Sequence, residues 1–151
     1  MRPQFLFAGP PTGPSVPGAE EMHRRYGEPN IEFFDVRSGI AIAVEYGPDR
    51  LACEVSIGHK QSLLERQSPP PPISSRVVTE LLQQLVPVAA RGKQISSNSV
   101  QIEDNVQLKT DYDNVSIRRL CSAPSCLASD QDQDLRTLIV FNRSACTSHF
   151  K

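Results

Sequence analysis

The sequence has little of what membrane proteins and nucleic-acid-binding proteins carry. It has no tryptophan, and no apolar run approaches the roughly 20 residues that a transmembrane helix needs. Its 16 basic and 17 acidic residues give a net charge of -1. A nucleic-acid-binding protein usually has a basic excess, because phosphate neutralisation supplies most of its non-specific affinity. We therefore predict neither a membrane span nor a nucleic-acid partner.

Motifs that hold a cofactor or activate a nucleophile are also missing. The eight glycines are scattered and form no phosphate-binding loop. His23, His59 and His149 have no serine, cysteine or aspartate at a spacing typical of a catalytic triad. The aspartate alternation at 130–134 lacks the glycine and glutamate of a calcium-binding EF-hand loop. We predict no cofactor, no metal site and no enzymatic activity, with a small enzyme of unknown class as an alternative.

Proline and glycine divide the chain into segments. Proline removes backbone donors and glycine is entropically costly to order, so stretches rich in both tend to be extended or disordered. The start of the chain is broken by Gly9-Pro10-Pro11, and for that reason no secretory signal is predicted there. The predicted organisation is a disordered arm (1–18), one domain (19–143) and a tail (144–151), with a Pro-rich connector (59–72) that can join two units (19–58 and 73–143).

Hydrophobic periodicity predicts the fold. Alternating apolar residues indicate strands with one buried side, most clearly at 40–46 and 51–57. A one-sided apolar stripe predicts a helix at 75–86, and a shorter helix is expected at 19–26. The sequence therefore predicts an α+β fold, in which two helices pack on one face of an antiparallel sheet of five to seven strands. The other strands are predicted at 31–36, 99–103, 106–110, 114–120 and 135–141, the last in a central position.

The four cysteines permit disulfides with three connectivities. We expect a disulfide among Cys121, Cys126 and Cys146, either between the first two or from one of them to Cys146. Cys53 lies on the apolar face of its predicted strand and is expected to be a buried free thiol. A zinc site built from the other three cysteines and His149 is a weaker alternative, because the spacing departs from structural zinc motifs.

The segment Arg25-Tyr26-Gly27-Glu28-Pro29 closes the first helix and leads into the strand meander. Over about residues 19–57 this arrangement resembles bacterial envelope domains of the β-lactamase-inhibitor-protein-like kind, in which helices pack on one face of an antiparallel sheet. It is similar, too, to exported bacterial proteins of this helix-plus-sheet kind. The chain departs from the inhibitor pattern by having one helix per half, and no inhibitory residue carries over. The resemblance implies an extracytoplasmic domain that binds a protein partner through its sheet.

The polar outer face of the sheet supplies the candidate site. Arg118 and Tyr112 are expected there, with Arg136 on a neighbouring strand, and tyrosine and arginine are enriched at protein interfaces. We predict a non-enzymatic binding or envelope-associated module in an extracytoplasmic compartment, with another protein as its partner. A structural homo-oligomer subunit and a cytoplasmic location are the alternatives, and the oligomeric state is left open.

Overall fold

The computed structural model describes residues 16–65, 71–122, 126 and 132–149. Most of the predicted arm, part of the predicted connector and the end of the predicted tail lie outside these ranges. The elements are α1 (Ala19–Tyr26), β1 (Ile31–Arg37), β2 (Ile40–Tyr46), β3 (Ala52–His59), α2 (Lys60–Glu65), β4 (Ile73–Ser74), α3 (Ser75–Leu85), α4 (Val88–Arg91), β5 (Gln94–Ile102), β6 (Asn105–Tyr112), β7 (Val115–Cys121), β8 (Asp132–Phe141) and a 3-10 helix (Ser144–His149).

The eight strands form one antiparallel sheet with β8 at its centre. The strand order is β1-β2-β3-β8-β7-β6-β5, and the short β4 pairs with β8 outside this path. Two meanders, β1–β3 and β5–β8, are joined where β3 lies against β8, with Val55 opposite Ile139. The apolar run of β8 therefore lies in the middle of the sheet, as expected for a strand buried between neighbours.

One face of the sheet, which we call the front face, packs against α3. Ser74 caps this helix by accepting a hydrogen bond from the backbone N–H of Val77 at 3.3 Å. Val78 of α3 is fully buried in one apolar cluster with Ile57 of β3 and Ile139 of β8. Because side chains alternate between the faces of a strand, the same strands present a second set of residues on the other face.

The predicted α+β class and antiparallel sheet are confirmed, although the sheet has eight strands rather than five to seven. The helices differ from the expectation of two packed on one face. No residue of α1 is buried, because its apolar stripe consists only of Met22 and Tyr26, which stay exposed. The unpredicted α2 lies against the opposite face, where the Leu63 side chain covers Gly58. Of the two predicted helices, α3 alone contributes buried residues to the front face.

Two disulfides link strand ends to nearby segments. Cys53 of β3 is bonded to Cys146 of the 3-10 helix, with a Cα–Cα distance of 5.4 Å. Cys121 of β7 is bonded to Cys126, with a Cα–Cα distance of 5.6 Å. The expectation that Cys53 is a free thiol is therefore wrong, and so is a bond from Cys146 to Cys121 or Cys126. The end of β8 lies beside the start of β3, so the chain that follows β8 passes Cys53.

Candidate binding face

The face of the sheet opposite α3, which we call the back face, carries charged side chains at its centre. It is defined by Glu54 and Ser56 of β3, Arg136 and Leu138 of β8, and Arg118 of β7. In the register of the sheet Arg118 lies opposite Leu138, and Ser56 lies opposite Leu138 from the other side. Alternation places all five on the same face, away from the buried front-face residues between them.

Two clefts meet on the back face. One, of about 240 Å³, lies over β7 and β8, with Arg118 and Leu138 in its lining. The other, of about 200 Å³, lies towards β1, with Phe33 and Leu63 in its lining. The clefts adjoin over β3 and β8, because three residues line both: Glu54, Ser56 and Arg136. The back face is therefore grooved rather than flat.

Glu54 is the carboxylate at the centre of this groove. Its pKa is raised, because partial burial penalises the charged form and Glu45 adds repulsion, while Arg136 and Arg118 act in the opposite direction. Glu45 and Glu54 lie directly opposite each other in the β2–β3 register. Like charges in such a pair destabilise a sheet. Glu45 therefore adds to the effect of burial in disfavouring the charged form of Glu54.

Arg118 and Arg136 lie on the back face, and both are exposed. Among the described residues, no ion pair includes either guanidinium. The next residue in the chain, Arg119, points to the other face and donates two hydrogen bonds, of 3.1 and 2.8 Å, to the buried Asp134 carboxylate. One arginine of this strand is thus part of the structure, whereas its neighbour presents its donors to solvent.

Tyr112 does not join the two arginines, which corrects the predicted grouping. It lies on the front side, partly buried against the core, and its hydroxyl accepts a hydrogen bond from Arg91 at 3.3 Å. The Arg91 guanidinium also lies over the Tyr112 ring, 5.5 Å from its centroid. A turn separates Tyr112 from β7, and Asp111 pairs with Ser116. Tyr112 therefore shares a face with Val115 rather than with Arg118.

Glu54 was not predicted from the sequence as a site residue, although its position carries a signal. The strand places this glutamate between Cys53 and Val55, which are both buried. A glutamate within an alternating apolar pattern indicates the outward side of a strand, but only the register shows that Glu45 and the arginines lie around it.

A larger cavity, of about 570 Å³, lies where β6, β7 and β8 meet the segment that follows β8. Its charged groups already have partners. Arg143 donates to both carboxylate oxygens of Asp49, at 2.6 and 3.2 Å, and this pairing lowers the pKa of Asp49 to about 2. Ser116 donates to Asp111 at 2.6 Å, which lowers the pKa of that carboxyl. The back face is the better candidate because its arginines are not engaged in this way.

The described ranges give little support for other kinds of site. They contain no cluster of three or more His, Cys, Asp or Glu residues placed to hold a metal ion. All four cysteines are disulfide-bonded, so the zinc alternative has no free thiolate. The described helices, of which α3 has 11 residues, include none with the length and apolar character to cross a membrane.

No protein-family model matches this chain, and no curated protein matches it. It is similar to the crystal structure of a DUF4309 family protein (YjgB) from Bacillus subtilis subsp. subtilis str. 168, with 12% sequence identity and a TM-score of 0.34. The match covers 82% of this chain and 78% of that chain. At these values no property of that protein is transferred here. The resemblance to β-lactamase-inhibitor-protein-like domains is not confirmed by these comparisons.

Proposed function

We propose that this domain is a non-enzymatic binding module that works outside the cytoplasm and takes a protein partner on the back face of its sheet. The observation that carries this proposal is the groove in which Glu54 lies near two exposed arginines, Arg118 and Arg136. Arginine in a partly enclosed pocket is typical of residues that dominate binding energy, since its planar guanidinium binds carboxylates through two hydrogen bonds.

The disulfides support the extracytoplasmic part of the proposal. Stable disulfides form in oxidising compartments and are rare in the cytosol, where thiols are kept reduced. One of the two bonds spans 93 residues and the other spans 5. A protein whose native state depends on both bonds would fold poorly in a reducing compartment.

Site-specific photo-crosslinking tests the binding face. A photo-reactive phenylalanine analogue at Gln107, which lines the groove, should form an adduct with a defined polypeptide in an unreduced extract of the source cells. The matched control places the same analogue at Gln84, an exposed glutamine of α3. Replacing Arg118→Ala and Arg136→Ala together should lower the Gln107 adduct at least about tenfold, because a binding arginine contributes about 2 kcal/mol or more.

The opposite results would contradict the proposal. Equal adduct yields from Gln107 and Gln84, or an adduct that persists at full yield without the two arginines, would show that the back face is not the binding surface. Complete alkylation of the denatured protein without prior reduction would contradict the extracytoplasmic assignment.

A further inference from the structure

Glu54 and Arg118 lie on the back face on opposite sides of the central strand β8. On the side of β3 and β2, Glu54 and Glu45 lie opposite each other. On the side of β7 and β6, Arg118 lies opposite Lys109, which is ion-paired with Asp111 at 3.9 Å. Because β8 is the fourth of seven strands in the sheet order, Glu54 of β3 and Arg118 of β7 are equally far from the middle. A two-fold axis that lies above the back face and runs along β8 would exchange the two sides.

We propose that the partner on the back face is a second copy of this chain, related to the first by a two-fold axis that lies between the two back faces and runs along β8, over Leu138. This inference rests on the proposed binding function and names its occupant. A two-fold interface presents the same surface from both copies, so every complementary contact occurs twice. Glu54 of each copy would face Arg118 of the other.

Apolar side chains at the two edges follow the same division. Ile31 and Phe33 of β1 lie on the back face and are exposed, as are Val100 and Ile102 of β5 at the opposite edge. The two-fold operation moves the β1 edge of one copy towards the β5 edge of the other. These exposed side chains would then have apolar neighbours, which a monomer does not provide.

Shape and area are compatible with such a dimer. The α2 helix stands on the β3 side of the back face, and the cleft of about 240 Å³ lies on the β7 side. Because the two-fold operation exchanges the sides, the α2 helix of one copy would lie over this cleft of the other. Seven strands spaced by about 4.8 Å, with about seven residues each, span roughly 30 Å by 23 Å, or roughly 700 Å² per copy. A standard protein interface buries about 800 Å² per partner.

Charge-reversal variants test the proposed dimer, and mixing them provides a control for correct folding. Sedimentation of the purified, oxidised full chain at about 100 µM and low salt should give about twice the chain mass of 16.7 kDa. Glu54→Arg and Arg118→Glu should each weaken the dimer at least tenfold, since each introduces two repulsive contacts. An equimolar mixture of the two variants should restore a dimer, because position 54 of one chain then meets position 118 of the other with opposite charge. That recovery also shows that both variants are folded.

Each other result decides against the inference. A wild-type monomer at about 100 µM overturns it, as does a dimer that neither reversal weakens or that mixing does not restore. If the pure protein is monomeric but Gln107 still crosslinks to a different polypeptide, the second-copy inference fails and the proposed binding function stands. If neither dimer nor crosslink forms, both fail.

Discussion

The two faces of the sheet are made by the same strands and yet have opposite compositions. On β8, Ile139 is fully buried against the front-face cluster, while its neighbour Leu138 lies in the back-face groove beside Arg118 and Arg136. The front face also includes both disulfide-bonded strand cysteines and the buried Arg119–Asp134 ion pair. The front face therefore supplies most of the interactions that stabilise the fold.

The back face contributes differently. Its central carboxylate is destabilised by burial and by a like charge, and its exposed arginines form no ion pair with the described residues. Such an arrangement adds little to the stability of an isolated domain, because exposed charge pairs contribute at most about 1 kcal/mol. The front face thus serves folding, and this difference is the basis of our proposal that the back face serves recognition. Two substitution pairs test this division directly, and a third compares the two disulfides of the front face.

The largest expected effect comes from the disulfides. In the chain-entropy account a crosslink over 93 residues stabilises by about 4.6 kcal/mol, and one over 5 residues by about 2 kcal/mol. Replacing Cys53 and Cys146 together by alanine should therefore lower the free energy of unfolding by more than replacing Cys121 and Cys126. Urea denaturation without reductant measures both variants. Equal losses would mean that the long loop is already constrained in the unfolded chain.

The second largest effect on stability is expected from substitutions at two neighbouring residues of β8. Ile139→Ala should cost about 3 kcal/mol, because it removes apolar atoms and leaves a cavity in the front-face core. Leu138→Ala, on the back face, should cost about 1 kcal/mol or less, since water can fill the groove. Urea denaturation at micromolar concentration gives both values. A loss for Leu138→Ala as large as that for Ile139→Ala would remove the distinction between the faces.

Much of the sheet could be predicted from local patterns. The alternation in β2 and β3 indicated both strands, and the apolar run at the end of β8 indicated a central strand, because these signals depend only on burial along one segment. The stripe of α3 was equally clear. The short α2 and β4 were missed, since each is too brief for a periodic pattern and both lie near a proline-rich segment.

The site was less predictable, because it depends on which strands become neighbours. Arg118 and Arg136 were expected on one surface, and the back face brings them together around Glu54. Tyr112 was misplaced because a turn reverses the chain after it, and parity counted through a turn does not hold. The Cys53–Cys146 bond depends on the pairing of β3 with β8. Long-range pairing of this kind has no local sequence signal.

The smallest expected effect distinguishes the faces by charge alone, through Glu54→Gln with Glu32→Gln as its control. The folded-state pKa of Glu54 is raised above its ordinary value of about 4.3, chiefly by burial. A raised carboxyl pKa favours folding below the unfolded pKa, and this contribution is lost as the pH rises through the folded pKa. At pH 7 the charged Glu54 therefore opposes folding, and Glu54→Gln should stabilise the protein by about 0.5 kcal/mol or less, the range of surface substitutions. The gain should disappear below about pH 4, where the wild-type carboxyl is protonated in both states.

Glu32 accepts a hydrogen bond from the Tyr46 hydroxyl at 2.7 Å, so Glu32→Gln should bring no such gain. Thermal unfolding across this pH range measures both variants, and a Glu54→Gln protein that is less stable than wild type at pH 7 would mean that the arginines already satisfy this carboxylate.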